Sequence, residues 1–207
     1  MCLRILTSRI VIGIFLIAAL LSATRASAQV LQNGLPENLE GKSVDPFKLS
    51  AGQISAGKVS AGKIIVLLFI RTDCPISNRY APVIQKLSNQ FQGQASFWLV
   101  YPDTGESAAQ IRGHLADFHY SIPALRDTHR SLVNRAHATI TPEAAVFDSS
   151  GKLTYHGRID NWYEDFGRAR SSPTTHELEL AIYHALDGKT PAPEYVSALG
   201  CYISDLK

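Results

Sequence analysis

The residue best placed to do chemistry is Cys74, in the run Phe69-Ile-Arg-Thr-Asp-Cys-Pro-Ile-Ser77. The thiolate is the reactive form of cysteine. A helix N-terminus favours it through free N–H groups and aligned peptide dipoles. Pro75 suits the first helical position, where a missing N–H costs nothing. Cys74 therefore stands at the mouth of a helix, with a pKa expected below the free value of about 8.5. Arg79 would add positive charge nearby, and Asp73 would oppose it. Ser77 lies three residues on, at the spacing where a dithiol motif carries its second sulfur. A serine forms no disulfide. Its hydroxyl can donate to a thiolate, or can simply serve the backbone of the first turn.

Cys201 follows 127 residues later on a Pro-flanked tail. Folded back, it could attack a mixed disulfide or a sulfenic acid on Cys74. A structural bridge and an unpaired tail cysteine are the other readings. Cys2 precedes an apolar leader and is left out of the chemistry. His114, His119, His129, His137, His156, His176 and His184 show no ligand spacing, so no metal site is assigned. A copper site of Cys74, Cys201 and a histidine is kept as an alternative.

The elements that must hold these residues are legible in the hydrophobic pattern. Lys63 to Ile70 is a continuous β-branched apolar run, as a strand buried on both faces requires. A helix follows from Cys74, with Val83, Ile84, Leu87 and Phe91 at helical spacing and Pro82 expected to kink it. Ala95–Val100 reads as a strand, Glu106–Phe118 as a helix and Ile122–Leu125 as a short extended segment. A short helix over Thr128–Ala136 would be capped by Asp127 or Thr128. Ala144–Phe147 and Leu153–Ile159 form a hairpin across Asp148-Ser-Ser-Gly151. His176–Leu186 is a last helix, capped by Thr174 or Thr175. Early βαβ units and a late antiparallel hairpin predict an α/β protein: a central mixed β-sheet flanked by helices, in the order of a thioredoxin fold. The domain is placed at 63–188, with a Gly- and Ser-rich extension with short strands at 29–62. A tail at 189–207 carries Cys201.

Residues 1–28 read as a secretory signal. Arg4 and Arg9 precede an apolar run from Ile10 to Leu21, and Ala26-Ser-Ala28 offers a cleavage site. Twelve apolar residues are few for a bilayer span, so a membrane contact would need an uncleaved leader. The whole chain carries 20 Lys plus Arg against 18 Asp plus Glu. Removing Arg4, Arg9 and Arg25 leaves 17 against 18, or −1. No basic stripe suggests nucleic acid. Cleavage also leaves only Cys74 and Cys201, too few to staple a fold, so the core must carry stability.

Three stretches resemble bacterial thioredoxin-like redoxins of the alkyl-hydroperoxide-reductase and thiol-specific-antioxidant type. They are Phe69–Ser77, Thr141-Pro-Glu-Ala-Ala-Val-Phe-Asp148 and Tyr155-His-Gly-Arg-Ile-Asp160. The resemblance covers about residues 35 to 203. It implies a cis peptide before Pro142, packed against Cys74, and substrate contact at Pro75, Thr141 and Pro142. Asp160-Asn161, Arg170–His176 and Gly200-Cys-Tyr-Ile203 resemble further segments of that family. Cys-Pro-Ile-Ser departs from its two-cysteine motif. Arg71 and Leu67 stand where a peroxiredoxin has Thr or Ser and Pro. The expected function is an exported, periplasmic or cell-envelope thiol redox protein with no cofactor. It would act through Cys74, Ser77 and Cys201 on a disulfide-containing protein, a small thiol or a peroxide, with an external thiol as reductant. A copper metallochaperone or a non-catalytic binding protein is the alternative.

Overall fold

The computed structural model describes residues 34–50, 54–55, 58–59, 63–191 and 193–203. The expected leader lies outside the described residues. Among those described, no helix is long and apolar enough to cross a membrane.

The core is built on β3 (Ile64–Phe69), buried along its whole length. Parallel β4 (Ala95–Tyr101) lies on one side of it and antiparallel β7 (Glu143–Phe147) on the other. Outward from β4 comes parallel β5 (Ala124–Arg126). Outward from β7 come antiparallel β8 (Leu153–Gly157) and parallel β11 (Tyr195–Val196). The order is β11-β8-β7-β3-β4-β5, a mixed six-stranded sheet. The alternation of β3 sorts the helices. Ile64, Val66, Leu68 and Ile70 meet Tyr80, Ile84 and Leu87 of α2 (Pro75–Gln90) and Leu178 and Ile182 of α5 (Glu177–Leu186). Ile65, Leu67 and Phe69 meet Leu132, Val133 and Ala136 of α4 (Ser131–Ala136). Each run of alternate side chains thus buries an apolar face without water.

Local chemistry moves several helix starts from where periodicity puts them. α3 (Ala108–Asp117) begins after Ser107, whose side chain accepts from the Gln110 N–H while Gln110 answers the Ser107 N–H. That capping box is written in Ser107-Ala-Ala-Gln110. α4 begins only at Ser131. Asp127 still serves it, since its buried carboxylate accepts from the N–H groups of Ser131, Leu132 and Val133. α5 begins at Glu177 behind His176, with no side-chain cap. Thr174 turns instead to Asn161 and Thr175 to Glu177. α2 runs unbroken through Pro82, which is exposed. In the extension, α1 (Pro46–Ser50) is a helix the composition does not announce. β1 (Ile54–Ser55) and β2 (Lys58–Val59) form a small antiparallel pair.

The tail supplies more than a trailing end. Beyond β11, β12 (Cys201–Tyr202) pairs antiparallel with β6 (Ile140–Thr141), setting Cys201 opposite Thr141. Ile203 then buries itself among Phe69, Leu132 and Val133. β9 (Tyr163–Asp165) and β10 (Arg168–Ala169) make a separate hairpin before α5.

Candidate active site

Cys74 is the N-cap of α2, extended at φ −86° and ψ 110°, and 0% exposed. Its thiol donates to the Thr141 carbonyl at 3.2 Å. The Thr141–Pro142 peptide bond is cis. Pro75 occupies the first helical turn. The structure therefore brings Cys74, Ser77, Thr141 and Cys201 together around one sulfur. Cys74 and Cys201 are both free thiols.

Burial pushes the Cys74 thiol up, but donors that the thiolate can accept from, the Cys201 side chain and the Ser77 side chain and N–H, outweigh it. The pKa falls below the ordinary thiol value. In the thiol form the Cys74 S–H points at the Thr141 carbonyl. Cys74 then caps no helix N–H, and Ser77 Oγ, 1% exposed, has no partner. Ionisation empties the Thr141 bond and turns the sulfur into an acceptor. Ser77 has an idle donor ready for it. Cys201 moves the other way. Burial, its bond to Cys74 and the Cys74 charge push it up to about 11, while Arg71 pulls it down. One sulfur of the pair is set to be the thiolate and the other to keep its proton.

The loop before Cys74 is clamped from outside. Glu106 Oε1 accepts the Thr72 N–H at 2.6 Å, and Asn78 Nδ2 donates to the Thr72 carbonyl at 3.1 Å. Asn78 Oδ1 sits 2.8 Å from His114 Nε2, and His114 Nδ1 sits 2.8 Å from the Tyr101 hydroxyl. One assignment satisfies the chain: Tyr101 donates to Nδ1, Nε2–H donates to Asn78, and Asn78 donates to Thr72. Burial lowers the His114 pKa, which keeps the ring neutral as this relay needs. Arg71 bridges Asp73 at 3.0 Å and Asp103 at 2.9 Å. On the other side of the sulfur, buried Glu143 accepts the Thr139 and Ile140 N–H groups, fixing the turn that presents Thr141.

The Arg79 guanidinium lies over the Trp162 ring, 5.8 Å from the centroid. Asp160 accepts from the Tyr80 hydroxyl at 2.6 Å and from the Trp162 N–H at 2.8 Å. A cleft of about 190 Å³ opens beside Pro142, between Tyr80, Asp160 and Ser197 to Leu199. A larger one, about 260 Å³, lies farther along α2 against Pro173 and His176 and holds neither cysteine. Among the described residues, no three His, Cys, Asp or Glu side chains converge to hold a metal ion.

A family model described as thioredoxin-like matches residues 62–153, the stretch from β3 to the start of β8. The fold is thioredoxin-like. An uncharacterised conserved protein of Geobacillus kaustophilus superposes with a TM-score of 0.65 at 20% identity, over 82% of this chain and 88% of that one. A hypothetical protein of Sinorhizobium meliloti 1021 gives 0.66 at 19% identity, again over 82% and 88%. An uncharacterised thioredoxin-like protein of Porphyromonas gingivalis gives 0.51 at 18% identity, over 78% and 95%. These likenesses concern the fold. No curated protein matches the sequence significantly.

Sequence reasoning singled out Cys74, Pro75, Ser77, Thr141, Pro142 and Cys201. It missed Glu106, Asn78, Glu143 and the Tyr80–Asp160 pair. A charged residue directly after Pro142, within an apolar hairpin strand, was the available signal for Glu143. Nothing local marks Asn78 as the partner of His114.

Proposed function

We propose that this protein is an exported thiol–disulfide oxidoreductase in which Cys74 and Cys201 form the working pair. The observation that carries the reading is that β12 sets Cys201 opposite Thr141, the residue whose carbonyl accepts from the Cys74 thiol, with the acidities of the two sulfurs driven apart. The Cys74 thiolate attacks a substrate disulfide, forming a Cys74 mixed disulfide and expelling one substrate thiolate. The negative charge that held the Cys201 proton is then gone. Cys201 loses that proton to solvent and attacks the Cys74 sulfur. The second substrate thiolate leaves, and a Cys74–Cys201 disulfide remains. The substrate gains two electrons and the protein gives up two. An outside dithiol restores the pair by attacking the more exposed Cys201 sulfur, with Cys74, the more acidic thiol, as leaving group. Ser77 serves the thiolate rather than the disulfide, which fits Cys-Pro-Ile-Ser in place of a two-cysteine motif.

The test uses a disulfide-reduction assay driven by dithiothreitol, with mass spectrometry of the oxidised protein. Turnover and a Cys74–Cys201 peptide pair are expected. In Cys201→Ala, mixed disulfides should accumulate on Cys74. If oxidation gives no such pair and Cys201→Ala turns over normally, Cys74 is a lone thiol. Turnover of hydrogen peroxide without disulfide exchange would point to the peroxide-reducing alternative. Export rests on the sequence of the leader: secreted material should begin at Gln29, and retention of Met1 would refute it.

A further inference from the structure

Cys74 has no exposed surface, and what covers it includes the chain's own tail. Cys201 pairs with Thr141, the residue whose carbonyl accepts from the Cys74 thiol. Thr141 Oγ1 donates to the Cys201 carbonyl at 3.3 Å, and the Ile203 N–H donates to Thr139 O at 3.0 Å. A Cβ on Gly200 would lie 2.0 Å from the Thr141 carbonyl oxygen, so only glycine lets the tail lie this close. Upstream, β11 is held by bonds from the His156 and Arg158 N–H groups to Glu194 and Val196. There, too, a glycine is needed: a Cβ on Gly157 would lie 2.0 Å from the Val196 carbonyl oxygen. An outside sulfur must reach Cys74, which is 0% exposed, and the strand position on β6 beside it is the one β12 fills.

We infer that residues 200–203 are a tethered occupant of the strand position beside Cys74, a latch that must lift before an outside sulfur can react there. This rests on Cys74 being the reacting group. The latch is slight: a two-residue strand, a few hydrogen bonds and one buried side chain, Ile203 at 4% exposure. β11 stays as its hinge. Segments held by so few bonds open locally without unfolding the domain. Because the occupant is part of the chain, it returns after each encounter, bringing Cys201 back to Cys74 for the resolving step.

The test starts from protein carrying Cys2→Ser and Cys201→Ser, in which Cys74 is the only thiol. Gly200→Ala is added to it, and alkylation by iodoacetamide and by a bulky maleimide is followed to the pH-independent plateau, where Cys74 is fully ionised. The plateau rate should rise roughly tenfold or more in Gly200→Ala, the factor that 1.4 kcal/mol of lost latch contact gives, and more steeply for the maleimide. An unchanged plateau overturns the inference. Hydrogen exchange on the unsubstituted protein supplies a second reading should Gly200→Ala fold poorly. The Ile203 amide should exchange roughly a hundredfold or more faster than the amides of β3. Equal protection would mean that the latch opens only with the whole fold, and would overturn it as well. Neither measurement needs turnover. A protein with a lifting latch and no disulfide reduction would sink the proposed function alone.

Discussion

Asn78→Ala tests whether the relay behind the Cys74 loop is structural. The side-chain amide makes two bonds, to the Thr72 carbonyl and with His114 Nε2. Their net loss costs about 1 kcal/mol each. The greater penalty falls on the orphaned ring N–H of His114, which is buried and costs about 1–3 kcal/mol without an acceptor. The Thr72 carbonyl is half-buried and can turn to water, so it adds little. The total is about 3–5 kcal/mol, or a fall in Tm of roughly 6–20 °C for a domain of this size. Scanning calorimetry measures it. Asn78→Asp keeps the acceptor for His114 and loses only the donor, so its Tm should fall less. Alkylation of Cys74 should slow in Asn78→Ala, because the loop that sets the N-cap loses its hold. A Tm within about 2 °C of the parent would refute the relay.

Asp127→Ala should cost about 2–4 kcal/mol by stripping the first turn of α4 of its acceptor, read as a lower urea midpoint; an unchanged midpoint would remove Asp127 as the cap. Burial pushes the Glu106 carboxyl up, only partly offset by its bonds from Thr72. With the folded value above the unfolded one, its contribution is present at low pH and is lost as the pH rises through the folded value. Glu106→Gln still accepts the Thr72 N–H and should match or exceed the parent near neutral pH. A clear loss of stability there would show that the charge itself is needed. Burial lowers the His114 pKa, so stability should be full above the unfolded value of about 6.5 and fall below it, where the unfolded chain takes up the proton first. His114→Gln should erase that step; a step that persists assigns it to another group. Thiolate absorbance of the reduced protein should rise in two steps, that of Cys74 below the ordinary thiol range and that of Cys201 near about 11. Two sulfurs titrating together in the ordinary range would refute the split.

What was legible in the sequence was local. The β3 run, the start of α2 at Pro75 and the Asp148–Gly151 hairpin each arise from neighbours in the chain, and the structure contains all three. The Ser107 box is equally local, but hydrophobic periodicity alone does not find it. The β-pairing of the tail was not legible. A two-residue strand has no period to detect, and Cys201 meets Thr141 across 60 residues of chain. The glycines that permit it, Gly157 and Gly200, read in sequence as ordinary turn residues. The relay through Tyr101, His114 and Asn78 depends on two helices and a strand arriving at one place, which no window of sequence contains. The buried Glu106 follows the same logic, since its partner Thr72 is 34 residues away.

The sheet ends in very short strands. On one side, three-residue β5 is closed by a bridge from Glu37, whose N–H and carbonyl both bond Arg126. On the other, two-residue β11 lies over β8. A bare strand edge is a template for a second chain, and both closures leave only a short edge open. The β11 closure belongs to the same segment as the latch over Cys74. Because β11 keeps its own bonds to β8 while β12 lifts, the five-residue edge of β8 stays covered when Cys74 is bared. Opening of the site is thereby separated from opening of the sheet, and holding the tail open should leave the protein monodisperse.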